Sequence, residues 1–330
     1  MIALFSQEVG EGTTEMVMDW LEYLGADHAR INGEGLNAGD ALELRVGNGG
    51  TRLRLDAGGR EMTAAGTAAV WMRRWHSMMN LDDLRRDDPT GLGQAVVSHL
   101  GRELVAVRGG LEDALRGAGW LTRANEMGVN KLHVLRVAAE AGLEVPETLV
   151  TNRRATLEAF IREQGPVICK PVGEAGHFQV GGTGYVMFTA EITPEVLAAL
   201  PERFFPSLFQ PRVEKRYELR VFYLAGRCWP MAIFSQGDPQ TRGDFRKYNH
   251  ARPNRCVPYA LPAEIEAAVV RTMEGLGLDT GSVDLIRTVD GRHVFLEVNP
   301  IGQFGMVSDP CNYFLERRVA EHLMELHDAV

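Results

Sequence analysis

Glu297 and Asn299 stand two apart in the apolar run 294–298, and in an extended strand that spacing turns both side chains to one face. A carboxylate beside an amide oxygen is a hard-oxygen pair suited to Mg²⁺, an ion that takes few protein ligands and shares phosphates. Asp284 lies in the preceding apolar segment, and an antiparallel turn around Asp290 and Gly291 brings it to the same end. A solvated surface strand is the other reading of these acids. Leu296 and Val298 flank Glu297, however, and argue for a buried setting in which an unpartnered carboxylate is costly.

Cations follow the same logic. Lys170 ends the apolar run 167–169 and precedes Pro171, a placement that aims its charge at one place, such as a phosphate. Gly173, Gly176, Gly181, Gly182 and Gly184 come next, either as a loop whose bare amides close over phosphates or as a flexible hairpin. Neither a G-x-x-x-x-G-K-[ST] loop nor a dinucleotide fingerprint is present. Glu218 and Arg220 share one strand face, where they form a structural ion pair or part of a catalytic cluster with Arg246 and Lys247. A clamp of Lys170, Arg220, Arg246 and Lys247 in an otherwise acidic chain suits phosphoryl transfer. His177 sits among the glycines, either touching substrate or, as is usual for a loop histidine, solvated. Arg73 and Arg74, between Trp71 and Trp75, read as an anion patch or as a solvated strand end. No Ser/His/Asp or Cys/His motif points to covalent catalysis.

These residues need a scaffold, and the hydrophobic pattern supplies one of the α/β (α+β) class. Residues 2–5 form a strand and 14–24 a helix capped by Thr13 or Thr14. Residues 41–46 and 51–56 pair as a hairpin about a Gly-rich turn. A strand at 69–75 and helices at 92–107 and 131–141 complete the first part, Gly142 stopping the last helix. Beyond Pro146 a strand, a helix at 155–164 and a strand at 167–170 precede the glycines. Long strands at 208–213, 217–224 and 229–234 follow, then a helix at 263–276, paired strands at 282–288 and 293–299, and a final helix at 313–327. The expected divisions are 1–125, 126–205 and 206–330.

Composition bounds the function. The chain has 330 residues and a formal net charge of −9, which argues against nucleic-acid binding through a basic face. Four cysteines, at 169, 228, 256 and 311, show no C-x-x-C spacing and predict a reduced cytoplasmic protein without structural zinc. No apolar run reaches the roughly 18 residues of a spanning helix, so a soluble protein with no membrane partner is expected.

The order and spacing of the strand ending at Lys170, the glycines, Gln210 to Glu214, Glu218-Leu219-Arg220, Asp244-Phe245-Arg246, Asp284 and Glu297-Val298-Asn299-Pro300 resemble those of ATP-grasp enzymes over residues 126–330. The resemblance implies an ATP-grasp fold: an N-terminal pre-ATP-grasp domain, a central lid subdomain and a C-terminal antiparallel-sheet subdomain. It implies that Lys131, Lys170, Gly181 and Gly182 hold phosphates, that Gln210, Pro211 and Val213 form the adenine hinge, and that Glu214 contacts ribose or adenine. Asp284, Glu297 and Asn299 would hold Mg²⁺, as two ions replaceable by Mn²⁺, with Arg220, Arg246, Glu218 and Lys247 at the reacting groups.

Four further stretches, Leu4-Phe5-Ser6-Gln7, Val70-Trp71-Met72-Arg73-Arg74-Trp75, Ala232-Ile233-Phe234-Ser235-Gln236 and Gln303-Phe304-Gly305-Met306-Val307-Ser308, resemble the ATP-grasp peptide maturases of graspetide (omega-ester peptide) pathways, above all the grasp-with-spasm group. That likeness implies an ADP-forming ligase acting on a ribosomal precursor peptide of leader plus core. Asp or Glu carboxylates would be joined to Ser or Thr hydroxyls, or to Lys amines, as macrocyclic esters or amides, by an enzyme working as a homodimer. Glu218-Leu219-Arg220 departs from the Asp-x-Arg common in such macrocyclases, which leaves the role of its acid open. Two alternatives remain: an ATP-grasp ligase adding free amino acids to a peptide or small acid, and a non-catalytic ATP-binding regulatory protein.

Overall fold

A computed structural model describes residues 1–35, 39–57, 59–75, 81, 91–123, 128–173, 177–180, 183–187, 189–247 and 249–330. The chain forms two compact units, one of Met1–Met127 with Gln303–Gly305 and Phe314–Val330, the other of Gly128–Gly302 with Met306–Tyr313. The last helix thus packs with the N-terminal unit rather than with the C-terminal strands that precede it in sequence.

In the first unit β1 (Ile2–Ser6) is buried along its whole length. Such a run suits the centre of a parallel sheet covered on both faces. It pairs in parallel with β2 (His28–Asn32) and β6 (Ala69–Met72), and β7 (Gly119–Leu121) extends the sheet beyond β6. The connecting helix α1 (Gly12–Tyr23) begins at Glu11 with no side-chain cap. Thr14, expected as a cap, lies in the first turn with its hydroxyl 3.2 Å from that of Ser6. Glu11 is held instead by Arg73 Nε at 2.5 Å and Arg74 Nε at 3.1 Å. Arg73 is 3 % exposed and stacks on Trp71 and Phe304, which overturns its reading as a solvated strand end. A second sheet of β3 (Ala41–Gly47), β4 (Gly50–Ala57) and β5 (Arg60–Thr63) contains the expected hairpin and packs against α2 (Gly93–Ala114).

The second unit holds two antiparallel sheets. In the smaller, the order is β12 (Ala190–Glu191), β9 (Val167–Lys170), β13 (Arg203–Pro211), β8 (Leu149–Arg153). Helix α4 (Arg154–Gln164) covers it through Leu157 and Phe160, which pack on Val167 and Phe209. The hairpin of β10 (His177–Val180) and β11 (Thr183–Val186) and the short α5 (Pro194–Ala199) join its strands.

The larger sheet has the order β16 (Arg255–Pro258), β15 (Arg227–Phe234), β14 (Lys215–Leu224), β17 (Thr280–Thr288), β18 (His293–Asn299). Its Leu219, Val221, Val283, Leu285, Phe295 and Val298 form one core with α3 (Lys131–Glu140) and α6 (Ala263–Gly275). Alternation along each strand therefore turns the intervening residues to the opposite face. A short helix, α7 (Gly305–Cys311), precedes α8 (Leu315–Asp328). Asn312 and Phe314 between them adopt left-handed φ values of 53° and 51°, so the final helix starts at Leu315 rather than at the expected residue 313, and α7 is a helix not read from the sequence. Among the described residues no helix is long and apolar enough to cross a membrane.

Candidate active site

The face of the larger sheet opposite its helices, together with β9 and β13, encloses a cavity of about 590 Å³. Its metal-type residues arise as the sequence spacing requires. Asp284 and Glu297 are direct partners across β17 and β18, and Ser282 opposes Asn299 two residues along. The ladder is interrupted between Asp284 and Leu285, where Leu285 opposes Phe295 and Leu296 is the extra residue of a β-bulge. Leu296 and Glu297, though consecutive, both line the cavity. Asn299 is exposed, and its Oδ1 accepts from Gly302 N at 3.0 Å.

The carboxylates are enclosed by cations. Arg220 Nη1 donates to both Asp284 oxygens at 3.3 Å. Burial raises the Asp284 carboxyl to about 6; Arg220 works against the shift and Glu297 adds to it. Lys131 Nζ stands 3.8 Å from one Glu297 oxygen and Arg246 Nη1 3.6 Å from the other. Asp244 grips the Arg246 guanidinium as a fork, at 2.9 Å and 2.8 Å, and accepts from its backbone N–H at 3.0 Å. Burial opposes ionisation of Asp244, but this fork leaves its carboxyl below the usual value.

Lys170, 9 % exposed at the end of β9, lines the cavity. Burial lowers its ammonium to about 8; Glu297 pulls it up, Lys131 and Arg246 push it down, and Asp284 again pulls it up. Lys131 opens α3, whose cap Asn130 accepts from Leu132 N and His133 N, and its Nζ donates to the Pro171 carbonyl at 3.1 Å.

Gln210, Pro211 and Val213, expected as the adenine hinge, and Glu214, expected against ribose or adenine, line the other end, beside Pro146, Ile168, Ile286 and Leu296. Gln210 is buried and its amide donates to Thr148 Oγ1 at 2.8 Å, so its side chain is spent on fixing the strand. One end of the cavity is thus apolar, and at the other Lys170 and Arg246 line it with Asp244, Asp284 and Glu297. That polarity fits an aromatic base followed by a polyphosphate.

Glu218 and Arg220 do not serve as each other's partner. Glu218 takes Lys215 and Ser235, while Arg220 takes Asp284. Arg220 is absent from the cavity lining, and so is Lys247, which is exposed. Gly181 and Gly182 fall outside the described residues, and His177 lies in β10. Sequence reasoning missed Leu296, which shares the cavity side with Glu297 only because of the bulge, and the apolar wall of Ile168 and Ile286. It also missed the Glu218 partners Lys215 and Ser235. The lysine, three residues away along a nominal strand, carried no sequence signal.

The metal test is chemical. Among the described residues no group of three or more His, Cys, Asp or Glu could hold an ion alone. Asp284, Glu297 and Asn299 supply oxygen donors only, and Asp284 and Glu297 repel each other's charge. That set fits Mg²⁺ completed by phosphate oxygens and water.

No family model matches the chain, and no curated protein matches it. Solved structures do. The macrocyclase MdnC from Microcystis aeruginosa MRC, bound with precursor peptide MdnA, is 24 % identical, with 98 % of this chain and 100 % of that chain covered at a TM-score of 0.83. A RiPP-associated ATP-grasp ligase from Chryseobacterium gregarium, in complex with ADP and a leader and core peptide, is 21 % identical, covering 98 % and 96 % at 0.85. The ATP-grasp ligase PsnB, complexed with a phosphomimetic variant of its minimal precursor, Mg and ADP, is 18 % identical, covering 98 % of each chain at 0.76. The chain has the ATP-grasp fold, along its whole length.

Proposed function

We propose that this protein is an ADP-forming ligase that activates Asp or Glu side-chain carboxylates of a ribosomal precursor peptide and joins them to Ser or Thr hydroxyls, or Lys amines, within the same peptide. The observation that carries the reading is the polarised cavity: an apolar slot at the hinge leading to Lys131, Lys170 and Arg246 gathered around Asp284 and Glu297. Full-length likeness to ligases solved with precursor peptides supports the choice of substrate.

The residues divide the work. Ile168, Ile286 and Leu296 sandwich the base, and the hinge 210–213 meets its edge. Lys131 and Lys170 hold phosphate oxygens. Asp284, Glu297 and Asn299 would hold Mg²⁺, which neutralises phosphate charge and draws electrons from the transferring phosphorus. Arg220 keeps Asp284 ionised inside the sheet. Arg246, fixed by Asp244, presents its remaining guanidinium edge to the substrate carboxylate and the phosphoryl group passed to it. The acyl phosphate then meets the peptide's hydroxyl or amine, and phosphate leaves as that bond forms.

The test is incubation with ATP, Mg²⁺ and the short peptide encoded beside the gene, followed by mass spectrometry and nucleotide analysis. The expected product is lighter by one water per bond, with ADP and phosphate released. A mass gain from added free amino acids, or release of AMP and pyrophosphate, refutes the proposal.

A further inference from the structure

Glu218 faces the cavity from β14 yet is 4 % exposed, and both its oxygens are engaged. Lys215 Nζ donates to one and Ser235 Oγ to the other, each at 2.5 Å. Lys215 reaches it through a second irregularity. The ladder between β14 and β17 slips between Lys215 and Tyr217, so Lys215 leaves the helix-covered face that Tyr217 keeps and turns to the side of Glu218.

The two partners grip opposite ends of one loop. Ser235 follows β15 directly, and its carbonyl accepts from Thr241 Oγ1 at 2.9 Å. At the far end Lys215 Nζ also donates to the Gly243 carbonyl at 3.1 Å. The next residue is Asp244, whose carboxylate forks Arg246. A single buried acid therefore ties the start and the end of the segment that delivers the arginine to Glu297.

We infer that Glu218 is a positioning residue: acting through Lys215 and Ser235, it fixes the loop 235–243 and thereby the place of Arg246, and it takes no proton in the reaction. The effect on rate rests on the function proposed above; the effect on the loop does not. A carboxylate that acted only on the reacting groups would lower turnover without loosening the loop.

The experiment compares wild type, E218Q and the double variant K215M/E218Q by hydrogen exchange over residues 235–247, ATP calorimetry and steady-state turnover with the precursor peptide. In E218Q, exchange in this segment accelerates, ATP affinity stays within about twofold, and kcat falls by about a hundredfold, the size of a misplaced reacting group. The double variant, which also loses the Lys215 tie to Gly243, exchanges in this segment at least as fast as E218Q. Wild-type protection in E218Q overturns the inference, as does wild-type protection in the double variant. An inactive wild type would refute the proposed function instead, and the exchange arm would still decide on the clamp.

Discussion

Gly302 sits where β18 turns away from the sheet, and its N–H donates to the Asn299 side chain at 3.0 Å and to the Asn299 carbonyl at 3.1 Å. A Cβ there would lie 2.3 Å from Ser282 Oγ and 2.7 Å from Ser282 N. The hydroxyl can rotate away, but the backbone nitrogen cannot. Relief requires that 2.7 Å separation to open to between 3.0 and 3.4 Å, a retreat of about 0.3 to 0.7 Å. Metal–ligand distances hold to about 0.2 Å, so the displacement exceeds what Asn299 can absorb as a ligand. Gly302→Ala should therefore raise the Mg²⁺ concentration for half-maximal turnover by about tenfold or more, the effect of losing a group that orients a ligand. Stability should fall by about 1–3 kcal/mol from overpacking. Calorimetric melting and Mg²⁺ titration of turnover measure both. Gly305→Ala, with nothing within 4 Å of the new Cβ, is the control. A Gly302→Ala protein with wild-type melting and Mg²⁺ requirement would refute both the contact and the metal role of Asn299.

Glu297→Ala should abolish Mg²⁺-dependent turnover, since it removes one of the two opposed carboxylates; turnover above about a tenth of wild type would take Glu297 out of the metal site. The Lys170 ammonium, lowered to about 8, should make ATP affinity fall as pH rises above 8, by up to about tenfold per unit, and Lys170→Met should flatten that slope in calorimetry at pH 7 and 9.5. In the unliganded protein the sign reverses. Burying this charge costs stability below pH 8, and the cost is relieved between about 8 and the ordinary value of 10.5, so melting of Lys170→Met should gain most over wild type at neutral pH. Asn130→Ala removes the α3 cap and should cost about 1 kcal/mol in thermal unfolding, with an added loss of ATP affinity because Lys131 opens that helix.

How far the site was legible depends on the kind of interaction. The pairing of Asp284 with Glu297 was readable, because hairpin register follows from two apolar runs and a short turn. The place of Lys170, at the end of a buried strand and against the cavity, was readable because a charge ending an apolar strand needs a reason. Arg73 was not: its carboxylate partner Glu11 lies 62 residues earlier and on a different element, and no local pattern announces such a pair. The division of labour between the two arginines was equally hidden. Sequence treats Arg220 and Arg246 alike, yet one is buried against Asp284 and the other lies at the cavity wall in the grip of Asp244. The start of α8 at Leu315 rather than 313 escaped because the left-handed φ values at Asn312 and Phe314 fall on residues other than glycine, which no local pattern announces.

The bulge at Leu296 shows why a correct face assignment can rest on an incomplete picture. Phe295 packs in the helix-side core, and strict alternation from it would carry Glu297 and Asn299 to that same side. A carboxylate there would be buried among Leu219, Val283 and Leu285 with no cation. One extra residue resets the phase, so Val298 returns to the core while Glu297 turns to the cavity and Asn299 lies exposed on the same side as Glu297. The slip at Lys215 does the same for a cation on β14. Both irregularities interrupt pairing with β17, the strand that holds Asp284, and each turns a charged residue out of the helix-packed face toward it. The sheet thus keeps an uninterrupted apolar face for α3 and α6 and still concentrates charge opposite. The spacing of Glu297 and Asn299 alone says that they share a face; the bulge decides which one.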